Sequence, residues 1–263
     1  MVNIVDVRKY RGFIFDLDGV LWRGDETVAG APQTVNRLRE LGGRLAFVTN
    51  NASKHRTKCL DKLKSAGVKA TLEEVISSGS ATAQYLKEKH GEGRVHVMGT
   101  DDLKREMVEA GHEVVETEAD YVVVGFDKGF NYEKLDKAYR TLAEHNGLFV
   151  ACNGNRLFVE EDGRHPGVLP SVEALACASG RRPDVFVGKP NAPIMEMTLE
   201  LLGLSPGECL IVGDTLDMDI QWGLNCGVDT LFVLSGMDSL NTVKATGIKP
   251  TYVLSSVSEI PLP

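Results

Sequence analysis

The chain has no run approaching ~18 consecutive apolar residues, so no segment reads as a membrane-spanning helix. Its opening stretch, MVNIVDVRKYRG, holds no apolar core of the length a secretory signal needs. Cysteine is sparse: five residues, an odd number, scattered and without a CxxC pair. That pattern argues against a disulfide framework or a zinc site, and for reduced thiols in a cytoplasmic setting. Positive charge is in deficit, with 29 Lys and Arg against 37 Asp and Glu, for a formal net charge of −8. With no basic run in the sequence, neither nucleic acid nor an anionic membrane surface is an expected partner. An anionic ligand must therefore be held by local cations or helix ends. Fixed-period repeats and low-complexity tracts are also missing.

What remains is an ordinary globular composition, 43% hydrophobic and 25% charged, in 263 residues. That length suffices for two modest domains or one large one. Phe13-Ile14-Phe15 is a short apolar run of the kind a buried parallel strand shows, and it ends in Asp16-Leu-Asp18-Gly19. Residues two apart on extended chain point to the same side, so Asp16 and Asp18 face one space. Two such acids repel unless a cation lies between them or one holds a proton.

Further strands and helices alternate along the chain. Pro32 opens a helix pattern carried by Val35, Leu38 and Leu41. Arg44–Thr49 reads as a second buried strand ending in Asn50-Asn51. Ser53 is placed to cap a helix bearing Cys59, Leu60, Leu63 and Ala66. Strands are expected at 74–78, 95–98, 121–125 and 148–152, with helices at 102–110 and 132–144. A polar, Gly-rich loop from Asn153 to Pro170 leads to a short helix, 171–178. The third section resumes with a strand at 184–188 ending in Lys189-Pro190, a helix at 194–202, and a strand at 208–213 ending in Asp214. A helix around 219–225 and strands at 230–234 and 251–254 complete the set. The simplest division is an α/β core from residues 1–79 and 183–263, with 80–182 inserted as a second α/β domain.

Four strand ends thus carry polar groups: Asp16 with Asp18, Thr49 with Asn50, Lys189, and Asp214. Parallel strands bring such ends to one edge, where chemistry sits in open α/β sheets. The set suits phosphoryl transfer through a carboxylate nucleophile. In that scheme Asp16 attacks phosphorus, and Asp18 protonates the leaving alcohol and later activates water. Magnesium, bound by oxygen ligands, shields the nucleophile from its anionic substrate, with Asp214 as its third carboxylate beside Asp16 and Asp18 and Asp219 in support. Thr49 and the Asn50 amide hold phosphoryl oxygens, and Lys189 neutralises nucleophile and phosphate together. Asp217 belongs to the entrance of the following helix, where the dipole favours acids.

At these residues the chain resembles the haloacid dehalogenase superfamily of phosphohydrolases. Phe15-Asp-Leu-Asp-Gly19, Val48-Thr-Asn-Asn51, Val187-Gly-Lys-Pro190 and Gly213-Asp-Thr-Leu-Asp-Met-Asp219 match its four motifs in order. The resemblance implies a Rossmann-like parallel-sheet core. It implies Asp16 as nucleophile, Asp18 as acid and base, and magnesium on Asp16, Asp214 and the Asp18 carbonyl. Phosphate contacts carry over to Thr49, Asn50, Asn51 and Lys189. The likeness is strongest to the NagD-like, 4-nitrophenylphosphatase and phosphoglycolate phosphatase branch, where a large α/β cap lies between the second and third motifs and governs specificity. A magnesium-dependent phosphomonoester hydrolase of small phosphorylated metabolites is the resulting expectation. A homodimer is compatible, because cap-mediated dimers are common in that branch.

The cap departs from the branch's usual wording. Cys152-Asn-Gly-Asn155 stands where TNPD is typical and Pro166-Gly-Val-Leu-Pro170 where PGAGS is common; outside the cap, Thr215 follows the fourth motif's first Asp where an Arg is usual. Asn153, Asn155, Arg156 and His165 are the candidates for leaving-group contacts, and Trp22 either borders the cleft or packs in the core. Competing readings are a phosphomutase or other phosphotransferase of the same superfamily, a phosphoacceptor signalling module, and a non-catalytic descendant. Asp18 and the inserted middle section tell against the signalling module.

Overall fold

Phe13, Ile14 and Phe15 are buried on both sides of the strand Gly12–Phe15, which is why their run shows no alternation. In the computed structural model, which describes residues 5–160 and 163–263, this strand is central to a six-stranded sheet. The order across it is Tyr252–Leu254, Asp229–Val233, Cys209–Gly213, Gly12–Phe15, Arg44–Thr49 and Val75–Ser77. Gly12–Phe15 runs parallel to both neighbours, with Phe15 opposite Val212 on one side and Phe47 on the other. That register brings Asp16, Thr49 and Asp214 out at one edge. Helices flank this sheet with apolar stripes turned inward. Ala31–Glu40, with Pro32 in its first turn, buries Val35 and Leu38, and Ala192–Leu202 buries Ile194, Met195 and Leu202.

The chain divides into two compact units. One comprises Met1–Thr49, Thr57–Ile76 and Lys189–Pro263; the other comprises Asn50–Arg56 and Ser77–Gly188. The second has its own five-stranded sheet, ordered Val185–Phe186, Leu148–Ala151, Tyr121–Val124, Arg94–Met98 and Glu113–Val114, with every pair parallel. Helices Tyr132–His145 and Leu169–Ser179 supply Ala138, Leu142, Val172 and Leu175 to the core that covers it. Helix Asp101–Glu109 begins at Thr100, whose hydroxyl accepts from the Leu103 amide. No helix among the described residues is long and apolar enough to cross a membrane.

Several expectations shift. The sequence division places 184–188 in the core, but Val185–Phe186 pairs with Val150–Ala151 as the edge of the second sheet. The loop expected over 153–170 contains an antiparallel hairpin, Leu157–Glu160 with Gly163–Pro166; residues 161–162 of it, like residues 1–4 of the opening stretch, lie outside the described residues. Ser53 does not cap a helix. Its hydroxyl and amide both donate to Asn51 Oδ1, at 2.7 and 2.9 Å, and the helix begins at Arg56. Ser78–His90 forms a helix that the periodicity did not reveal, entered through a capping box at Ser77 and Ser80.

Candidate active site

Asp16 is the first residue past Phe15, and its amide still donates to Val212 O at 2.9 Å, so the sheet ladder fixes its backbone. Lys189 Nζ donates to Asp16 Oδ1 at 2.5 Å, to Asp219 Oδ1 at 2.7 Å and to Val48 O at 3.2 Å. All three donors of the ammonium are thereby used in a position only 2% exposed. Asp219 Oδ2 accepts from the amides of Asp214 and Thr215, at 3.2 and 3.1 Å. The turn of π-helix Leu216–Ile220 brings Asp219 back under its own strand end. The sequence reading gave Asp219 a supporting place beside a metal; in the structure it is the second carboxylate gripping Lys189.

Asp214 ends the strand Cys209–Gly213 and is 4% exposed. Its Oδ2 accepts from the Met237 amide at 2.6 Å and its Oδ1 from the Thr215 hydroxyl at 3.2 Å. Gly19 and Gly236 pack against this carboxylate so closely that a Cβ on either would overlap it. The loop Ser235–Met237 escaped the sequence reading, although it follows another buried strand, Asp229–Val233, as the assigned motifs do.

Asp18 is exposed, and Trp22 Nε1 donates to its Oδ1 at 2.8 Å. The Gly19 amide donates to Trp22 O at 2.7 Å, and Ser235 Oγ donates to Gly19 O at 2.6 Å. Trp22 is itself 3% exposed, with Lys62 Nζ 4.6 Å from its ring centroid, so it is both a core residue and the partner of Asp18. Thr49 is buried at the end of its strand. Lys189, by contrast, follows a strand of the other sheet, so only three of the four expected strand ends belong to one sheet.

Carboxylate oxygens of Asp16, Asp214 and Asp219 all lie within 4.8 Å of one another. Three carboxylates facing one ammonium leave two negative charges in excess. Burial raises the Asp16 carboxyl well above the ordinary range, against the pull of Lys189, and Asp219 and Asp214 push the same way. Asp214 is pushed up to about 7 by burial and by Asp219. Burial works against the Lys189 charge, but Asp16 and Asp219 outweigh it and hold the ammonium protonated beyond its usual range. A hard, oxygen-seeking divalent cation fits this donor set, since it balances the excess charge that burial would otherwise remove by protonation.

The remaining candidates lie in the second unit. Asn51 uses its side chain in the local turn with Ser53. Asn153 is 1% exposed, and its Nδ2 donates to Asn50 O at 2.7 Å. Asn155 Oδ1 accepts from Asn50 Nδ2 at 2.8 Å. These two amides, expected at the leaving group, are thus engaged with Asn50. Arg156 is exposed, and His165 is half-buried with its ring 5.4 Å from that of Phe158.

Comparison with known proteins bears on this geometry. A family model described as haloacid dehalogenase-like hydrolase matches residues 13–113, and a related HAD-like hydrolase model matches residues 186–260. The chain is 35% identical over 248 residues to an acid sugar phosphatase of Staphylococcus epidermidis, covering 94% of this chain and 95% of that protein. It is also 35% identical over 254 residues to the 5'-nucleotidase YutF of Bacillus subtilis, covering 96% and 98%. Among solved structures, a p-nitrophenyl phosphatase from Archaeoglobus fulgidus superposes with a TM-score of 0.91 at 34% identity, over 95% of this chain and 98% of that one. With relatives of this identity spanning nearly the whole length, the chain belongs to the haloacid dehalogenase superfamily, among its NagD-like phosphatases.

Proposed function

We propose that the protein is a magnesium-dependent phosphomonoester hydrolase that works through an aspartyl-phosphate on Asp16. The observation that carries this reading is Lys189 held between Asp16 and Asp219 beside Asp214. A carboxylate attacks an anionic ester only if its own charge is offset, and the buried ammonium does that on the nucleophile itself. A carboxylate oxygen of Asp16 forms the new bond to phosphorus while the ester oxygen departs with the bonding pair. Asp18 delivers a proton to that oxygen. Trp22 occupies its Oδ1, which leaves Oδ2 to carry the proton. Asp18 then takes a proton from water, whose oxygen attacks phosphorus and releases Asp16 and inorganic phosphate. Thr49, Asn50 and Asn51 receive the phosphoryl oxygens.

Asp16, Asp214 and the Asp18 carbonyl would hold magnesium, with Asp219 beside them, and the bound ion supplies positive charge where two anions must meet. An inserted cap, residues 80–182, selects the leaving group, with Arg156 and His165 as its contacts. Small phosphorylated metabolites are the substrate class, with 4-nitrophenyl phosphate as an artificial substrate. A homodimer and a cytoplasmic location complete the reading.

Two measurements test it. Asp16→Asn should lower 4-nitrophenyl phosphate turnover on the order of 10⁴-fold or more with the fold unchanged by circular dichroism. Wild-type-like turnover would remove Asp16 as nucleophile. Chelation should stop the wild-type reaction and magnesium should restore it; turnover indifferent to chelator would exclude the metal.

A further inference from the structure

Asn50 follows the strand Arg44–Thr49, and its carbonyl is taken up from two sides at once. Asn153 Nδ2 and Ser78 Oγ each donate to Asn50 O at 2.7 Å, which uses both lone pairs of that oxygen. Asn153 and Ser78 are 1% and 0% exposed, so these bonds form away from competing water. The Asn50 side chain is gripped separately, through Nδ2 to Asn155 Oδ1 at 2.8 Å. Asn155 is in turn tied to Asn153, its amide donating to Asn153 Oδ1 at 3.1 Å. Gly188 closes the arrangement: a Cβ there would lie 2.7 Å from Asn50 Oδ1 and 2.9 Å from Asn153 Cβ.

A planar peptide links the direction of one carbonyl to that of the next amide. Fixing Asn50 O therefore aims the Asn51 N–H to the opposite side, and the bond to Asn155 sets which way the Asn50 amide group turns. Donors aimed before the ligand arrives need no reorganisation when it binds. We propose that Asn153 and Asn155 are positioning residues, which hold Asn50 and the Asn50–Asn51 peptide in the orientation that receives a phosphoryl group. The proposal rests on the reading of Asn50 as a phosphate contact, and it takes both asparagines out of the set that touches the leaving group.

The two roles separate in the inhibition constant of inorganic phosphate, which has no leaving group. Measured against 4-nitrophenyl phosphate hydrolysis with magnesium present, Asn155→Ala should raise that constant about tenfold. It should raise KM for esters of unlike alcohols by one common factor. Asn155→Asp keeps an acceptor oxygen for Asn50 Nδ2 and should bring the phosphate constant back to within about threefold of wild type. An unchanged phosphate constant, with KM altered for one ester and not another, would overturn the proposal and return Asn155 to the leaving group. Loss of folded enzyme lowers the number of active sites but leaves the phosphate constant in place, which would also overturn it. Failure of the underlying reading shows separately. Inorganic phosphate that does not compete with 4-nitrophenyl phosphate in the wild-type enzyme removes the phosphate contact itself and the proposal with it, whereas competitive phosphate inhibition left unchanged by Asn155→Ala removes only the positioning role.

Discussion

The two units solve the same architectural problem and put different chemistry at the ends of their strands. Both have a parallel sheet with helices packed on it. In the first, the strands Gly12–Phe15 and Cys209–Gly213 lead into Asp16 and Asp214. In the second, Arg94–Met98, Tyr121–Val124 and Leu148–Ala151 lead into Gly99, Gly125 and Cys152, none of them charged. Burial pushes the Cys152 thiol up to about 12, so it too stays neutral. The first unit concentrates buried charge at its strand ends. The second supplies neutral amides, Asn153 and Asn155, in the stretch that follows Cys152. A parallel sheet dictates where a site lies, and the residues after the last buried position decide what it does.

That contrast makes the charged edge the fragile one. After Asp16→Asn, the largest effect is expected for Lys189→Met, which strands two carboxylates without their ammonium. It should cost about 3–5 kcal/mol in denaturant unfolding and 10²–10³-fold in kcat. A variant as stable and active as wild type would show that the acids do not depend on Lys189. Trp22→Phe keeps the ring and removes one donor from Asp18, so kcat for an alkyl phosphate should fall about three- to tenfold. An activated aryl ester, whose leaving group needs little help, should be less affected; equal losses would detach Trp22 from proton transfer.

The smallest effect tests the second unit. His96 is 5% exposed, and burial lowers its pKa below the ordinary 6.5. Below pH 6.5 the unfolded chain takes up a proton that the folded one refuses. Stability therefore falls as pH drops through 6.5, down to the depressed folded value, by at most about 1.4 kcal/mol per pH unit. His96→Gln should flatten that slope in urea unfolding between pH 6.5 and 5. An unchanged slope would place the acid sensitivity elsewhere.

Much of this is legible in the sequence, for a physical reason. Strands buried on both faces read as unbroken apolar runs, so Asp16, Thr49 and Asp214 stand out at their ends. The helix Ser78–His90 was not legible, because its buried face is built from Gly79, Ala81, Thr82 and Ala83, with Leu86 the one large apolar residue. Small side chains pack a helix closely without leaving a hydrophobic period. Leu240–Thr246 was missed for the opposite cause, since it buries none of its residues. Val185–Phe186 is a two-residue strand, too short to declare its sheet, so the sequence alone joins Lys189 to the first sheet's edge while the strand before it belongs to the second. The hairpin at 157–166 sits in polar, glycine-containing sequence that resembles a loop. Within the site, pairings between distant residues such as Ser235 with Gly19 in one unit or Asn155 with Asn50 in the other follow from tertiary packing and leave no local pattern.

Gly19 is usually accounted for by its backbone, and its φ of +84° does favour glycine. Its neighbour in space tells a second story. Gly19 and Gly236, from opposite ends of the chain, form two walls of a slot just wide enough for the Asp214 carboxylate. The final letter of DxDG is thus partly written by a residue that the motif does not contain. Saturation mutagenesis should find Gly236 as intolerant as the acids themselves, and a drift to alanine there would be compensated, if at all, by change at position 214.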